Sequence, residues 1–178
     1  MIAEGYLRSG AKVYIASRHR DDCERTAVEL RPLGSCEAIP ADISASEGRA
    51  EVVRTLRDRE DALHVLVNNA GTTWAASFAD YPEDGFQKVL NLNLAALFFL
   101  TRDLTPMLER ASHPDDPSRV INIGSIAGIR GTGQAFIAYA TSKAAVSHFT
   151  RVVALEYAEF GVRANTILPG LMDTPRIY

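Results

Sequence analysis

The feature that most constrains this chain is a strict alternation of two periodicities from one end to the other. Short runs rich in Val, Ile and Ala each follow a longer stretch whose apolar residues recur at three- and four-residue intervals. The first period belongs to strands and the second to amphipathic helices. Segments 12–17, 36–39, 64–67, 120–123 and 163–168 read as strands. Segments 2–9, 21–30, 82–110 and 138–160 read as helices, as does one from Ser44 or Ser46 to about 58, with Gly10, Pro32, the loop 113–118 and Gly161 as stops. Strands separated by helices are joined by crossovers rather than hairpins. That topology predicts an α/β fold of the doubly wound type: a mostly parallel sheet, helices on both faces, and ligands at the carboxyl ends of the strands. With 47% hydrophobic residues over 178 positions, one domain covering 1–178 can bury a core of its own.

Charge and composition remove several function classes. A net charge of −3 without a long Lys/Arg cluster gives no footprint for a phosphate backbone, so no nucleic-acid partner is expected. The longest apolar run, 92–100, is far short of the roughly 20 residues that span a bilayer, so no membrane partner is expected either. Cys23 and Cys36 stand in no CxxC or Cys/His pattern, which argues against a metal and for a reducing, cytoplasmic location.

Tyr139 and Lys143 share one helical face at i, i+4, where a phenol and an ammonium can reach a common ligand. Alone, that pair reads as a solvated helix face. Its context says more: fourteen residues before Tyr139, directly after the strand-like VINI, stands Gly124-Ser125, which would present a hydroxyl at a strand end. Asn91 and Asn93 interrupt an otherwise apolar helix face, and buried amides need partners.

Taken together, NNAG at 68–71, NLNL at 91–94, INIGSIAG at 121–128, YATSK at 139–143 and NTILPG at 165–170 resemble the short-chain dehydrogenase/reductases, in order and at nearly the family's spacings over almost the whole chain. The resemblance implies a Rossmann-type fold and an NADP(H)-dependent oxidoreductase that interconverts a ketone or 3-oxoacyl group and a secondary alcohol. It makes Tyr139 the general acid in reduction and base in oxidation, with Lys143 favouring its phenolate and binding the nicotinamide ribose. Ser125 would polarise the substrate oxygen, and Asn93 would position a water in a proton relay. The interval from Ser125 to Tyr139 is one residue longer than the family's commonest, which points to a small insertion within 129–137.

For the cofactor, the resemblance places Ser17 where NAD-using members carry an acidic residue, with Arg18 and Arg20 able to pair with a 2′-phosphate, so NADP(H) is favoured over NAD(H). Asp42 and Ile43 would meet the adenine, Asn69, Ala70 and Gly71 the adenosine ribose, and Pro169, Gly170 and Thr174 the nicotinamide carboxamide.

The family's first strand and its TGxxxGxG turn are not in this sequence, nor are its last strand and substrate-covering helix. The fold is therefore expected to be truncated at both ends, with the strands at 12–17 and 64–67 each lacking a central neighbour. Charge-assisted bonds of roughly 1.5–3 kcal/mol each to a pyrophosphate would be missing, so a chain of this extent is expected to be unstable or inactive. The alternative from another class is a non-catalytic remnant that pairs with other subunits through helices 82–110 and 138–160, where Leu97, Phe98 and Leu100 would offer an exposed apolar face. A homodimer or homotetramer is expected of the complete protein, with a small carbonyl or alcohol as its substrate.

Overall fold

The computed structural model describes residues 2–131 and 135–171, and these form two compact units, Met1–Arg59 and Glu60–Tyr178. In the first, the order is α1 (Ile2–Arg8), β1 (Val13–Ser17), α2 (Arg20–Leu30), β2 (Cys36–Pro40) and α3 (Ser46–Arg59). β1 and β2 are parallel, with Val13 opposite Cys36 and Ser17 opposite Pro40. Cys23 and Ala27, four apart on α2, face inward, and the apolar cluster of Leu7, Ala27 and Cys36 is filled out by Val13, Ile15, Leu30, Leu33 and Ala38. Both cysteines are buried free thiols, and burial pushes each up from its ordinary value, which keeps them inert.

The second unit runs β3 (Val65–Asn68), α4 (Glu83–Leu90), a π-helical turn (Asn91–Ala96), α5 (Leu97–Ala111), β4 (Arg119–Ile123), α6 (Ile137–Glu156) and β5 (Arg163–Ile167). Its three strands lie in sequence order and are all parallel. α5 buries Leu97, Leu100, Leu104, Met107 and Leu108, a stripe at three- and four-residue spacing. α6 buries Ala138, Ser142, Val146, Thr150 and Val153, so its inner stripe alternates apolar and hydroxyl side chains. Regular α6 geometry stops at Glu156, and the chain turns on to Gly161, where a φ of +77° ends it. There Val162 N–H bonds the Tyr157 carbonyl and Gly161 N–H that of Ala158, a closure that favours glycine.

The predicted α/β class and parallel pairing are what the structure shows. Among the described residues, β1 and β3 each pair on one side only, and the strands form two separate sheets. Two details differ from expectation. The long helix over 82–110 is broken by the π-helical turn, and the apolar face foreseen at Leu97, Phe98 and Leu100 points largely inward: Leu97 and Leu100 are buried, while Phe98 alone of the three is exposed. The cause is phase. A π turn takes more residues per turn than an α-helix and so rotates every later side chain about the axis.

A polar ladder ties this unit together near the carboxyl ends of its strands. Asn68, Asn122 and Thr166 are register partners across β3, β4 and β5. Asn68 Nδ2 donates to Asn122 Oδ1 at 2.8 Å and to Thr101 Oγ1 of α5 at 3.0 Å; Asn122 Nδ2 donates to Thr150 Oγ1 of α6 at 2.8 Å, which also accepts from Thr166 Oγ1 at 2.7 Å. Each of these amide groups and hydroxyls thus has at least one partner, the condition under which polar groups can be sealed from water.

Candidate active site

In the first unit, Ser17, Arg18, Asp42 and Ile43 gather where β1 and β2 end. The Ser17 carbonyl accepts the Ala41 N–H at 2.9 Å, which carries the pairing one step beyond the strands. Asp42 Oδ1 accepts the Ser44 hydroxyl at 2.7 Å and the Ser44 N–H at 3.0 Å. Those two bonds hold the carboxyl below its ordinary range, with a smaller contribution from the charge of Arg18. The Ile43 carbonyl accepts from Arg49 at 2.9 Å. Arg18 is exposed, and its Nε bonds His19 at 3.2 Å.

In the second unit the chemistry centres on the end of β4. Lys143 is only 5% exposed, and its Nζ donates to the Ile123 carbonyl at 2.6 Å. The same Nζ stands 5.8 Å from the centre of the Tyr139 ring. Two residues beyond Ile123, Ser125 caps the short helical turn Ile126–Gly128, its Oγ accepting the Ala127 N–H at 3.1 Å. That turn lies against α6 at Lys143: a Cβ built on Gly128 would stand 2.7 Å from the Lys143 carbonyl carbon, so only glycine allows the approach. Burial without a carboxylate partner pushes the Lys143 ammonium below its ordinary value.

Asn93, 1% exposed, is turned inward by the π-helical turn. Its Oδ1 accepts the Thr72 N–H at 2.8 Å, and its Nδ2 donates to the Thr72 carbonyl at 3.0 Å and to Ser142 Oγ at 2.9 Å. The carboxamide therefore pairs with Thr72 as the backbone of a neighbouring strand would. Gly71 lies over this group, where a built Cβ would stand 3.4 Å from Asn93 Oδ1 and 3.6 Å from Lys143 Nζ. Asn69 and Ala70 are exposed just past β3. Pro169 and Gly170 follow β5 beside the capped turn, with the Pro169 carbonyl accepting the Ile126 N–H at 3.1 Å. Thr174 lies outside the described residues.

Ser125, Tyr139, Lys143, Asn93 and Gly71 are thus brought to one end of one sheet, and Ser17, Arg18, Asp42 and Ile43 to the corresponding end of the other. Thr72 and Ser142, which hold Asn93, were not foreseen, although the rule that a buried amide needs partners called for two such groups.

The family model for short chain dehydrogenases matches residues 1–177. The chain belongs to the short chain dehydrogenase family. A short chain dehydrogenase relative from Pseudomonas aeruginosa, a rhamnolipid-biosynthesis 3-oxoacyl-[acyl-carrier-protein] reductase, is 42% identical over 170 residues, 96% of this chain and 66% of that protein. Among solved structures, the Pseudomonas aeruginosa RhlG/NADP active-site complex superposes with a TM-score of 0.94 at 40% identity, over 98% of this chain and 68% of that one. An NAD+-bound xylitol dehydrogenase superposes with a TM-score of 0.86 at 26% identity, over 98% and 67%. This short chain dehydrogenase sequence therefore spans about two thirds of the length of the proteins it matches. Among its described residues, no group of three His, Cys, Asp or Glu side chains could hold a metal, and no helix is long and apolar enough to cross a membrane.

Proposed function

We propose that the protein carrying this chain is an NADP(H)-dependent oxidoreductase that interconverts a ketone, of the 3-oxoacyl class, and a secondary alcohol. In this reading the whole chain serves one NAD(P)-binding domain in the cytoplasm. The observation that carries it is the buried Lys143 ammonium, tethered to the Ile123 carbonyl beside the Tyr139 ring and the Ser125 turn.

In reduction, the Tyr139 phenol gives a proton to the substrate oxygen; in oxidation it takes one back. The fixed positive charge of Lys143 steadies the oxygen that has lost its proton. Ser125 donates a hydrogen bond to the same substrate oxygen and orients it. Asn93 uses both amide hydrogens on the protein, so the relay role falls to the remaining lone pair of its Oδ1, which faces Gly71 with Lys143 Nζ. When bound, the nicotinamide supplies or accepts the hydride.

The residues fit such a cofactor. Gly71 leaves open the space over Lys143 that a side chain would fill, and Asn69 and Ala70 present exposed chain beside it. Arg18 stands exposed at the end of β1, suited to a 2′-phosphate, and Asp42 and Ile43 stand beside it for the adenine. Pro169 and Gly170, with Thr174, would hold the carboxamide. The NADP of the RhlG complex supports this preference, while the NAD+ of the xylitol dehydrogenase shows that the fold accepts either.

Tyr139→Phe should lower the rate of ketone-dependent NADPH oxidation by at least about a hundredfold with an unchanged circular dichroism spectrum. Undiminished turnover would remove Tyr139 from the mechanism. A second reading, a non-catalytic partner subunit, is favoured by the apolar groove along α4 and α5 lined by Leu90, Leu94, Ala95, Phe98 and Phe99, which also suits a homodimer or homotetramer. Absence of any NADPH oxidation by the unaltered protein would decide for it.

A further inference from the structure

Residues 71–76 follow a path that no motif announces. Gly71 faces Lys143 Nζ, Thr72 is gripped by Asn93, which Ser142 holds in turn, and the Ala76 N–H bonds the Ala135 carbonyl at 3.0 Å. The segment therefore reaches from beside Lys143 of α6 back to Ala135, two residues before the helix begins, and Tyr139 lies between those two points along the chain. Along it exposure alternates: Thr72 half-buried, Thr73 exposed, Trp74 half-buried, Ala75 exposed, Ala76 half-buried. An extended chain with that alternation has two faces, and Trp74 shows where one of them goes. A Cβ built on Gly85 of α4 would stand 2.8 Å from two carbons of the indole, and Lys88 Nζ, one turn on, lies 5.5 Å from the ring centre. The loop beyond is closed by the Tyr81 hydroxyl on the Trp74 carbonyl at 3.0 Å, with the Tyr81 ring edge-on to Phe86 at 6.3 Å.

We infer that Trp74 is a positioning residue: docked on Gly85 and Lys88, it holds 71–76 as a fixed wall beside Tyr139, and Thr73 and Ala75 on the opposite face set the bulk of substrate that fits. This rests on the reductase reading above and adds to it the element that selects the substrate. A wall anchored at three points does not move aside, so small side chains at 73 and 75 leave width next to the phenol.

The test measures KM and kcat for NADPH oxidation with ethyl acetoacetate and with the bulkier ethyl benzoylacetate. Ala75→Leu should raise KM for ethyl benzoylacetate about tenfold more than for ethyl acetoacetate, while the emission maximum of Trp74, the chain's one tryptophan, stays where it was. Trp74→Ala should raise KM for both esters about tenfold with kcat within about threefold, and Trp74→Phe should restore most of the loss. Misfolding would instead lower kcat at constant KM. Equal KM changes for the two esters in Ala75→Leu, or an unchanged KM in Trp74→Ala, overturn the inference and leave the reductase reading standing. Failure of the unaltered protein to oxidise NADPH with either ester removes that reading, and the inference with it.

Discussion

Lys143 carries a cost that the rest of its neighbourhood offsets only in part. Its ammonium has one carbonyl within reach and lies almost wholly out of water, so burial lowers its proton affinity below the ordinary 10.5. The consequence for stability has a definite sign. Between the lowered folded value and 10.5 the unfolded chain holds a proton that the folded chain has released, so stability rises with pH across that window, and below it the penalty is fully present. Replacing Lys143 by Met removes the titration. The melting temperature of Lys143→Met relative to the unaltered protein should therefore fall as pH is raised toward about 10, as read by thermal melts at a series of pH values. A relative melting temperature that rises with pH would contradict the burial argument. In the first unit, Arg18 is exposed and its proposed role is tested by affinity. Arg18→Ala should weaken NADPH by about tenfold or more and NADH by less than about threefold in a fluorescence titration, since a charge-assisted bond to a phosphate is worth roughly 1.5–3 kcal/mol; equal losses would defeat the 2′-phosphate assignment.

At the scale of elements, the Asn68–Asn122–Thr166 ladder sets the position of β4, and β4 in turn carries Ile123 and Ser125. Thr150 is its junction, accepting from Asn122 and Thr166 while donating to the Val146 carbonyl at 2.7 Å. Thr150→Val keeps the shape and deletes the junction, which strands a buried amide hydrogen on Asn122. The expected loss is about 1–3 kcal/mol in urea unfolding, with Thr150→Ser losing much less; equal losses would mean the methyl, not the hydroxyl, matters. The strands and most helix limits were legible because each has its own period: Lys12 to Ser17 and 163–168 were each placed within one residue of the observed strands. The π-helical turn was not legible, because Asn91–Ala96 continues the apolar helix pattern and the extra residue per turn leaves no mark in composition. At the site, Ser125, Tyr139 and Lys143 could be read from motif spacing. Thr72 and Ser142 could not, since their role comes from a turn of the backbone around Asn93 rather than from any interval in the chain.

For the whole molecule, the two units each carry a parallel sheet, and in each the candidate residues stand at the carboxyl ends of the strands. A ligand that binds the folded form alone must stabilise it by mass action. NADPH at about a hundred times its dissociation constant should add about 2.7 kcal/mol and raise the melting temperature, and NADH at the same concentration should raise it less. A melting temperature indifferent to both nucleotides would mean that the chain, which matches about two thirds of its relatives' length, does not by itself form a nucleotide site. The order of strands carries its own information here. β3, β4 and β5 are neighbours in sequence as well as in space, so the second unit can assemble from pairings made between successive strands.

One consequence follows from the grip of Asn93 on Thr72. A strand secures its neighbour along a seam, and any slip propagates down the whole length; a lone carboxamide rivets Thr72 on its own, independently of the anchors at Trp74 and Ala76 farther on. Everything downstream of Thr72 can then lengthen, shorten or change composition while the rivet, and with it Gly71 over Lys143, stays put. On the proposed reading, such an arrangement lets the stretch assigned to substrate diversify without reopening the proton-transfer chemistry beside it.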